Sequence, residues 1–159
     1  MPSRRDQIRM TDDELRDFVA EHKVMTVATM GSNGRPHLMP LWYVPQPNGD
    51  LIGWTFAKSQ KAMNLERDPR ATVQIEEGVE YQELRGVMLE CEVEIEKDAD
   101  KVADFGMSIF ERYAPRDDSG ELPEGVRQMV EKQAPKRIGM RFHPTRTVTW
   151  DHRKLGGTY

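Results

Sequence analysis

A mainly β fold, antiparallel and with helices inserted between its strands, is what this sequence predicts, and three observations carry that expectation. From Arg85 onward, Val87, Leu89, Cys91, Val93 and Ile95 alternate with Met88, Glu90, Glu92, Glu94 and Glu96. That period of two belongs to a strand with one buried face and one wet face. Two Asn-Gly pairs, Asn33-Gly34 and Asn48-Gly49, separate strand-like runs where tight hairpin turns are needed. Elsewhere the spacing turns helical, as at Val102, Phe105, Ile109 and Tyr113.

The first predicted element is a helix over residues 11–22. Thr11 and Glu14 have the spacing of a capping box, and Leu15, Phe18 and Val19 share one face. Strand-like stretches follow at 23–30, 36–44 and 50–57. A polar opening at 58–60 leads into a helix over 61–68, which stops before Pro69 because the residue preceding proline is driven out of helical geometry. Residues 70–77 alternate through Ala71, Val73 and Ile75 and read as another strand. After the long strand and a helix over 99–113 comes a turn-rich segment, PRDDSGELPEG, and then a helix marked by Val126, Met129 and Val130. Two closing strands, 136–142 and 145–150, precede the tail DHRKLGGTY. Six or seven antiparallel strands are what small closed β architectures use. No repeat, low-complexity tract or linker divides the chain, so residues 1–159 are expected to form a single domain.

Composition narrows the function. The single cysteine, Cys91, rules out an intrachain disulfide and fits a reducing compartment. The opening MPSRRDQIRM has no apolar segment after its charges, and no apolar run nears the roughly 18 residues of a spanning helix. A soluble, cytoplasmic protein with no membrane span is therefore expected. The net charge of −4, with no basic stripe, argues against nucleic acid as a partner. Local basic clusters are sized for a small anionic ligand. The glutamate row from Glu90 to Glu96 is read as a solvated face that discourages edge pairing, and Cys91 as a small core residue.

Several chemistries lack their residues. His22, His37, His143 and His152 stand far apart, and no HExxH or CxxC occurs, so no metal site is expected. There is no G-x-S-x-G elbow, Walker loop or G-x-G-x-x-G turn. Asp151 and His152 could be two members of a triad, but no serine is placed for the third.

What remains is the run Trp54-Thr55-Phe56-Ala57-Lys58-Ser59-Gln60-Lys61, where a strand delivers the chain to a helix start. Exposed N–H groups there attract anions, and Ser59, Lys58 and Lys61 add donors and charge. On the pattern alone, an ordinary serine-capped helix with surface lysines is the better explanation. A second cluster, Trp150 to Lys154, reads taken alone as a strand end with a basic solvated tail in preference to a ring-and-anion contact across a dimer interface.

KSQKAMNLERDPR, preceded by GWTFA, resembles the cofactor-phosphate region of the pyridoxamine-phosphate-oxidase-like split β-barrel family. The resemblance extends from TVATMGSNGRPHLMPLWY through RGVMLECEVEI to WDHRKLGG. The combination is similar to small actinobacterial members of the flavin/deazaflavin oxidoreductase superfamily. The resemblance implies an FMN-binding split-barrel fold, a homodimer, and coenzyme F420 as cofactor, with FMN the alternative. It implies that His37, Leu38, Met39, Pro40, Leu41 and Trp42 lie along the cofactor ring, with the backbone of Met39 to Leu41 at its polar edge. Trp54 and Thr55 would take the second ring-and-ribityl position, and Ser59, Gln60 and Lys61 the phosphate position, with Lys58 beside them. Arg85, Trp150, His152 and Lys154 are further candidate contacts.

Two departures from the family pattern matter. Gln60 stands where arginine is usual, which weakens the case for FMN. The Arg-Leu-x-Pro signature of true pyridoxamine-phosphate oxidases is missing, which argues against oxidation of the vitamin. The implied activity is hydride transfer from the reduced deazaflavin to an unsaturated small molecule. Such a cofactor carries the chemistry itself, so no catalytic dyad is needed. His152 and Tyr113 are the acids in view for protonation, and neither is assigned. An FMN-dependent oxidase or reductase, a non-catalytic F420 carrier and a haem-binding split barrel are the rival functions.

Overall fold

The computed structural model describes residues 1–157; Thr158 and Tyr159, the end of the tail and of the predicted domain, lie outside the described residues. Seven antiparallel strands form one sheet: β1 (Val24–Met30), β2 (Pro36–Trp42), β3 (Val44–Pro45), β4 (Leu51–Phe56), β5 (Arg70–Glu77), β6 (Arg85–Glu96) and β7 (Arg137–Asp151). Their order is β2-β1-β5-β6-β7-β4-β3. β2 and β3 sit at opposite edges of the sheet, yet only Tyr43 separates them in sequence. One residue spans about 3.8 Å, so the sheet must curl until its edges meet at that point. Further along, the edges part. β2 pairs only with β1, and β4 beyond Ile52 pairs only with β7. The result is a mainly β split barrel, closed at one corner and open between β2 and β4.

Tyr43 explains why residues 36–44 are two strands rather than the one expected. Its backbone leaves the ladder and turns to the long helix α4 (Ala99–Tyr113, counted after α1, Arg4–Gln7, α2, Asp12–Glu21, and α3, Gln60–Arg67). The Tyr43 N–H donates to the Tyr113 hydroxyl at 3.0 Å, and its carbonyl receives Arg112 and lies 2.6 Å from the Tyr113 hydroxyl. The Tyr43 ring is fully buried, with its hydroxyl 2.7 Å from the Val19 carbonyl and 2.9 Å from that of His22. Burial pushes this phenol up to about 12. The barrel seam is thereby tied to α2, whose Phe18 and Val19 plug one end of the core beside Met25 and Val73.

The capping box of α2 forms as predicted, with the Thr11 N–H donating to Glu14 at 2.7 Å and the Glu14 N–H to Thr11 Oγ1 at 3.2 Å. A second, smaller core lies outside the barrel. There α4 and α5 (Val126–Gln133) bury Val102, Ala103 and Val130 against Trp54 and Phe110. Gly106 permits this contact, since a Cβ there would stand 2.9 Å from the Trp54 indole.

The two closing strands expected at 136–142 and 145–150 are one bent strand. Cys91 faces Pro144 and Glu90 faces Arg146, so Thr145 is the extra residue of a β-bulge. Pro144 has no N–H to donate, and a bulge is where a strand tolerates that. The short α1 was not anticipated either; Ser3 and Asp6 cap it reciprocally.

Candidate functional site

The open side of the barrel has two parts, one under the start of α3 and one between β2 and α4. Ser59 caps α3 in extended conformation, its Oγ accepting from the Ala62 N–H at 3.3 Å. The first helical N–H groups, at Gln60 and Lys61, have no intrahelical carbonyl to reach. A buried polar peg holds the helix in place. Fully buried Asn64 donates to Thr29 Oγ1 at 3.0 Å and accepts from Gln60 at 2.8 Å and Arg67 at 2.9 Å.

Lys61 reaches across to β4, donating to Thr55 Oγ1 at 3.0 Å. Burial lowers its pKa, and among the described residues no carboxylate pairs with it. A half-buried ammonium with only a hydroxyl for company is suited to receive an anion. On β2, His37 lies opposite Thr29, and its Nδ1 is buried with no hydrogen-bond partner among the described residues.

The second part is a slot of about 450 Å³ lined by Val24, Pro40, Leu41, Trp42, Trp54, Ile109, Phe110 and Arg137. Trp42 stacks on Tyr113 with ring centroids 4.6 Å apart and planes 9° from parallel. The Trp54 indole nitrogen is buried without a hydrogen-bond partner among the described residues. β2 between the two parts is uncovered on both faces, with Leu38, Met39 and Trp42 at 58%, 42% and 52% exposure. A strand this apolar and this bare is a binding surface in search of an occupant.

Comparison with known proteins now bears on the geometry. The sequence profile of the pyridoxamine 5'-phosphate oxidase family matches residues 11–151. The chain belongs to that family. Among solved structures, a conserved hypothetical protein from Mycobacterium tuberculosis is 39% identical, with a TM-score of 0.85 over 99% of this chain and 95% of its own. The haem storage protein HutZ from Vibrio cholerae is 17% identical, with a TM-score of 0.66 over 87% of this chain and 94% of that one. An F420 reductase is 20% identical, with a TM-score of 0.59 over 79% and 88%. The last two likenesses show the fold alone. No curated protein matches the sequence.

Within this family member, the pleat sorts the residues expected at the cofactor. His37, Met39 and Leu41 share the inner face with buried Thr29, Val27 and Met25, while Leu38, Pro40 and Trp42 face outward. Thr55 points inward to Lys61, whereas Trp54 faces α4. His37–Trp42, Trp54, Thr55 and Lys58–Lys61 therefore surround the opening, with Lys58 exposed at its edge.

Arg85, Trp150, His152 and Lys154 are not brought to this opening within the chain. Arg85 is held among Glu77 at 3.1 Å, Asp151 at 3.4 Å and the Phe18 ring, all at the α2 end of the barrel. Trp150 lies over Gly86, where a Cβ would come 2.4 Å from its ring. His152 Nδ1 is 2.9 Å from the Tyr81 carbonyl, and Lys154 pairs with Glu14 at 2.5 Å. Neither acid considered for protonation is offered to the opening: His152 is anchored through Nδ1 to the Tyr81 carbonyl away from it, and the Tyr113 hydroxyl is shared among Tyr43, Lys23 and Arg112, with burial raising its pKa.

Three contributors went unrecognised in the sequence: Arg137, Phe110 and Asn64. Phe110 and Arg137 meet Trp54 only through the fold, and no local spacing signals them. Asn64, four residues after Gln60, does carry a signal in retrospect, as an amide on the inward face of an amphipathic helix.

Proposed function

We propose that this protein is an oxidoreductase that binds coenzyme F420 across the split between β2 and β4. The observation that carries the proposal is Lys61, a half-buried cation at the start of α3 that reaches Thr55 on β4 and has no carboxylate partner among the described residues. The residues fit a planar cofactor with a phosphate. Lys61 and the first N–H groups of α3 would hold the phosphate, and His37 Nδ1, on the inner face of β2, is a buried group with unmet hydrogen-bonding capacity among the described residues. The backbone of Met39 to Leu41 would face the polar edge of the ring.

Charge favours the deazaflavin over FMN. FMN ends in a phosphate monoester of roughly −2 charge, whereas the side chain of F420 passes through a singly charged phosphodiester. The usual arginine is replaced by Gln60, whose amide is already engaged with Asn64, so Lys61 is left to answer a single charge. The F420 reductase among the structural relatives is consistent with this choice.

When bound, the reduced deazaflavin would supply hydride chemistry toward an unsaturated acceptor, such as a conjugated C=C or C=N. Lys61 would hold the phosphate, β2 would lie along the ring, and Trp42, Leu41 and Phe110 would wall the acceptor and exclude water. Titration of cofactor-stripped protein with F420 and with FMN, followed by ligand fluorescence, is expected to show tight deazaflavin and weak FMN binding. Lys61→Ala is expected to weaken F420 binding well beyond tenfold, about 1.5–3 kcal/mol for a lost charged hydrogen bond. The reverse preference would make FMN the cofactor. An unchanged affinity in the variant would remove the phosphate site.

A further inference from the structure

Arg137 stands apart from the other shielded arginines. Arg85 is matched by two carboxylates, Arg141 lies 3.8 Å from Asp50, and Arg112 donates to backbone carbonyls of Ala20, His22 and Tyr43. The guanidinium of Arg137 is clamped between the rings of Trp54 and Phe56, at 4.0 and 3.9 Å from their centroids. Among the described residues its hydrogen bonds run to the neutral Gln133 amide alone, from Nε at 3.0 Å and from one terminal nitrogen at 2.8 Å. No carboxylate pairs with it among the described residues, and burial lowers its pKa.

A guanidinium fixed by two rings and a glutamine has given up its side-chain freedom while its other terminal nitrogen stays unpaired. It forms one wall of the slot, where Trp42, Leu41, Pro40, Ile109 and Phe110 supply flat and apolar surface. The Trp54 N–H adds a second donor that has no acceptor. Apolar walls with a few convergent polar groups are the usual make-up of a small-molecule site, and the two unmatched side-chain groups here, on Arg137 and Trp54, are both donors.

We infer that this slot is the acceptor subsite, and that Arg137 selects planar unsaturated molecules carrying a carboxylate. The ring surfaces would take the conjugated system while the free edge of Arg137 donates to the carboxylate. The inference deepens the oxidoreductase proposal and rests on it for the word acceptor. The slot's preference for an anion can be measured without any cofactor.

The test is calorimetric titration of the purified full chain with trans-cinnamate and with its neutral analogue cinnamamide, in wild type, Arg137→Gln and Arg137→Lys. Cinnamate is expected to bind wild type at least tenfold more tightly than the amide. Arg137→Gln is expected to abolish that preference, and Arg137→Lys to retain part of it, since a lysine keeps the charge but loses the fork. Equal affinity of wild type for acid and amide would overturn the inference, as would a preference that survives in Arg137→Gln. The wild-type comparison decides the matter even if a variant fails to fold. An anion preference without any F420 or FMN binding would overturn the oxidoreductase proposal alone. Cofactor binding without an anion preference would overturn this inference alone.

Discussion

Single cations in this protein divide according to whether a carboxylate answers them. Arg85 is answered, and its place at the strand ends beside α2 makes it a structural residue. Its side chain and that of Asp151 are 13% and 4% exposed, so replacing Arg85 with methionine would strand a buried carboxylate with Arg153 as its remaining partner. A loss of roughly 1–3 kcal/mol is expected for such a group, read as a lower midpoint in urea with unchanged slope. Stability equal to wild type would return Arg85 to the list of ligand contacts. Lys61 and Arg137 are unanswered, and both face the open side of the barrel. Lys61 was legible in the sequence because it follows a strand and a serine cap, within a run that resembles a phosphate site. Arg137 was not, because its distinction lies in its partners. Trp54 and Gln133 reach it from β4 and α5, and an arginine at the start of a strand looks ordinary until the fold assembles them. Cys91 was read correctly as a core residue; burial pushes its thiol up to about 12, which leaves it unreactive at neutral pH.

At the scale of elements, alternation and capping were enough to find nearly every strand and helix, and the misjudgements fall where tertiary partners override local pattern. Tyr43 breaks a strand because α4 offers its backbone better partners, and Thr145 bends one without ending it. Next to that bulge, His143 joins three strands' worth of chain. Its Nδ1 lies 3.0 Å from Asp50, after the turn that joins β3 to β4, and its Nε2 lies 3.3 Å from Glu94 on β6, while Asn48 and Arg141 also approach Asp50. The two carboxylates raise the pKa of His143 above its ordinary 6.5. A pKa raised by folding means that the folded state holds the proton more tightly than the unfolded chain. The stabilisation is therefore complete below 6.5 and fades as pH climbs through the raised value. His143→Gln is expected to lower the thermal midpoint at about pH 5.5, with the penalty shrinking as pH rises through the raised pKa and the wild-type imidazole loses its proton. A penalty that grows with pH would contradict the clip.

For the whole molecule, the decisive feature is a sheet face that one chain leaves bare. Val24 and Met30 of β1 lie beside Trp42 and Pro36 of β2, and Leu38 lies opposite Ala28, all on the face turned away from the barrel interior. Val24, Met30, Leu38 and Trp42 are each between 42% and 58% exposed. Composition had hinted at this, since 37% hydrophobic residues is a modest supply for a lone chain of 159 residues, and some of that supply is spent outside the core. A patch that contiguous is unusual on a monomer. A second copy of the same chain is the simplest cover, because a two-fold axis lets one apolar surface satisfy itself. The proposed homodimer would bury β2 and roof the slot beside Trp42, so that assembly and ligand binding depend on one surface. Leu38→Asp places a charge on that face, away from the interior and from the lining of the slot. In sedimentation velocity, wild type is expected to run as a dimer and the variant as a monomer, with far-ultraviolet circular dichroism unchanged because the side chain contributes nothing to the core. F420 affinity should fall along with the dimer if the second copy completes the site. A wild-type protein that sediments as a monomer at every concentration would mean the bare face serves another partner, and the opening between β2 and β4 would then have to bind its cofactor unaided.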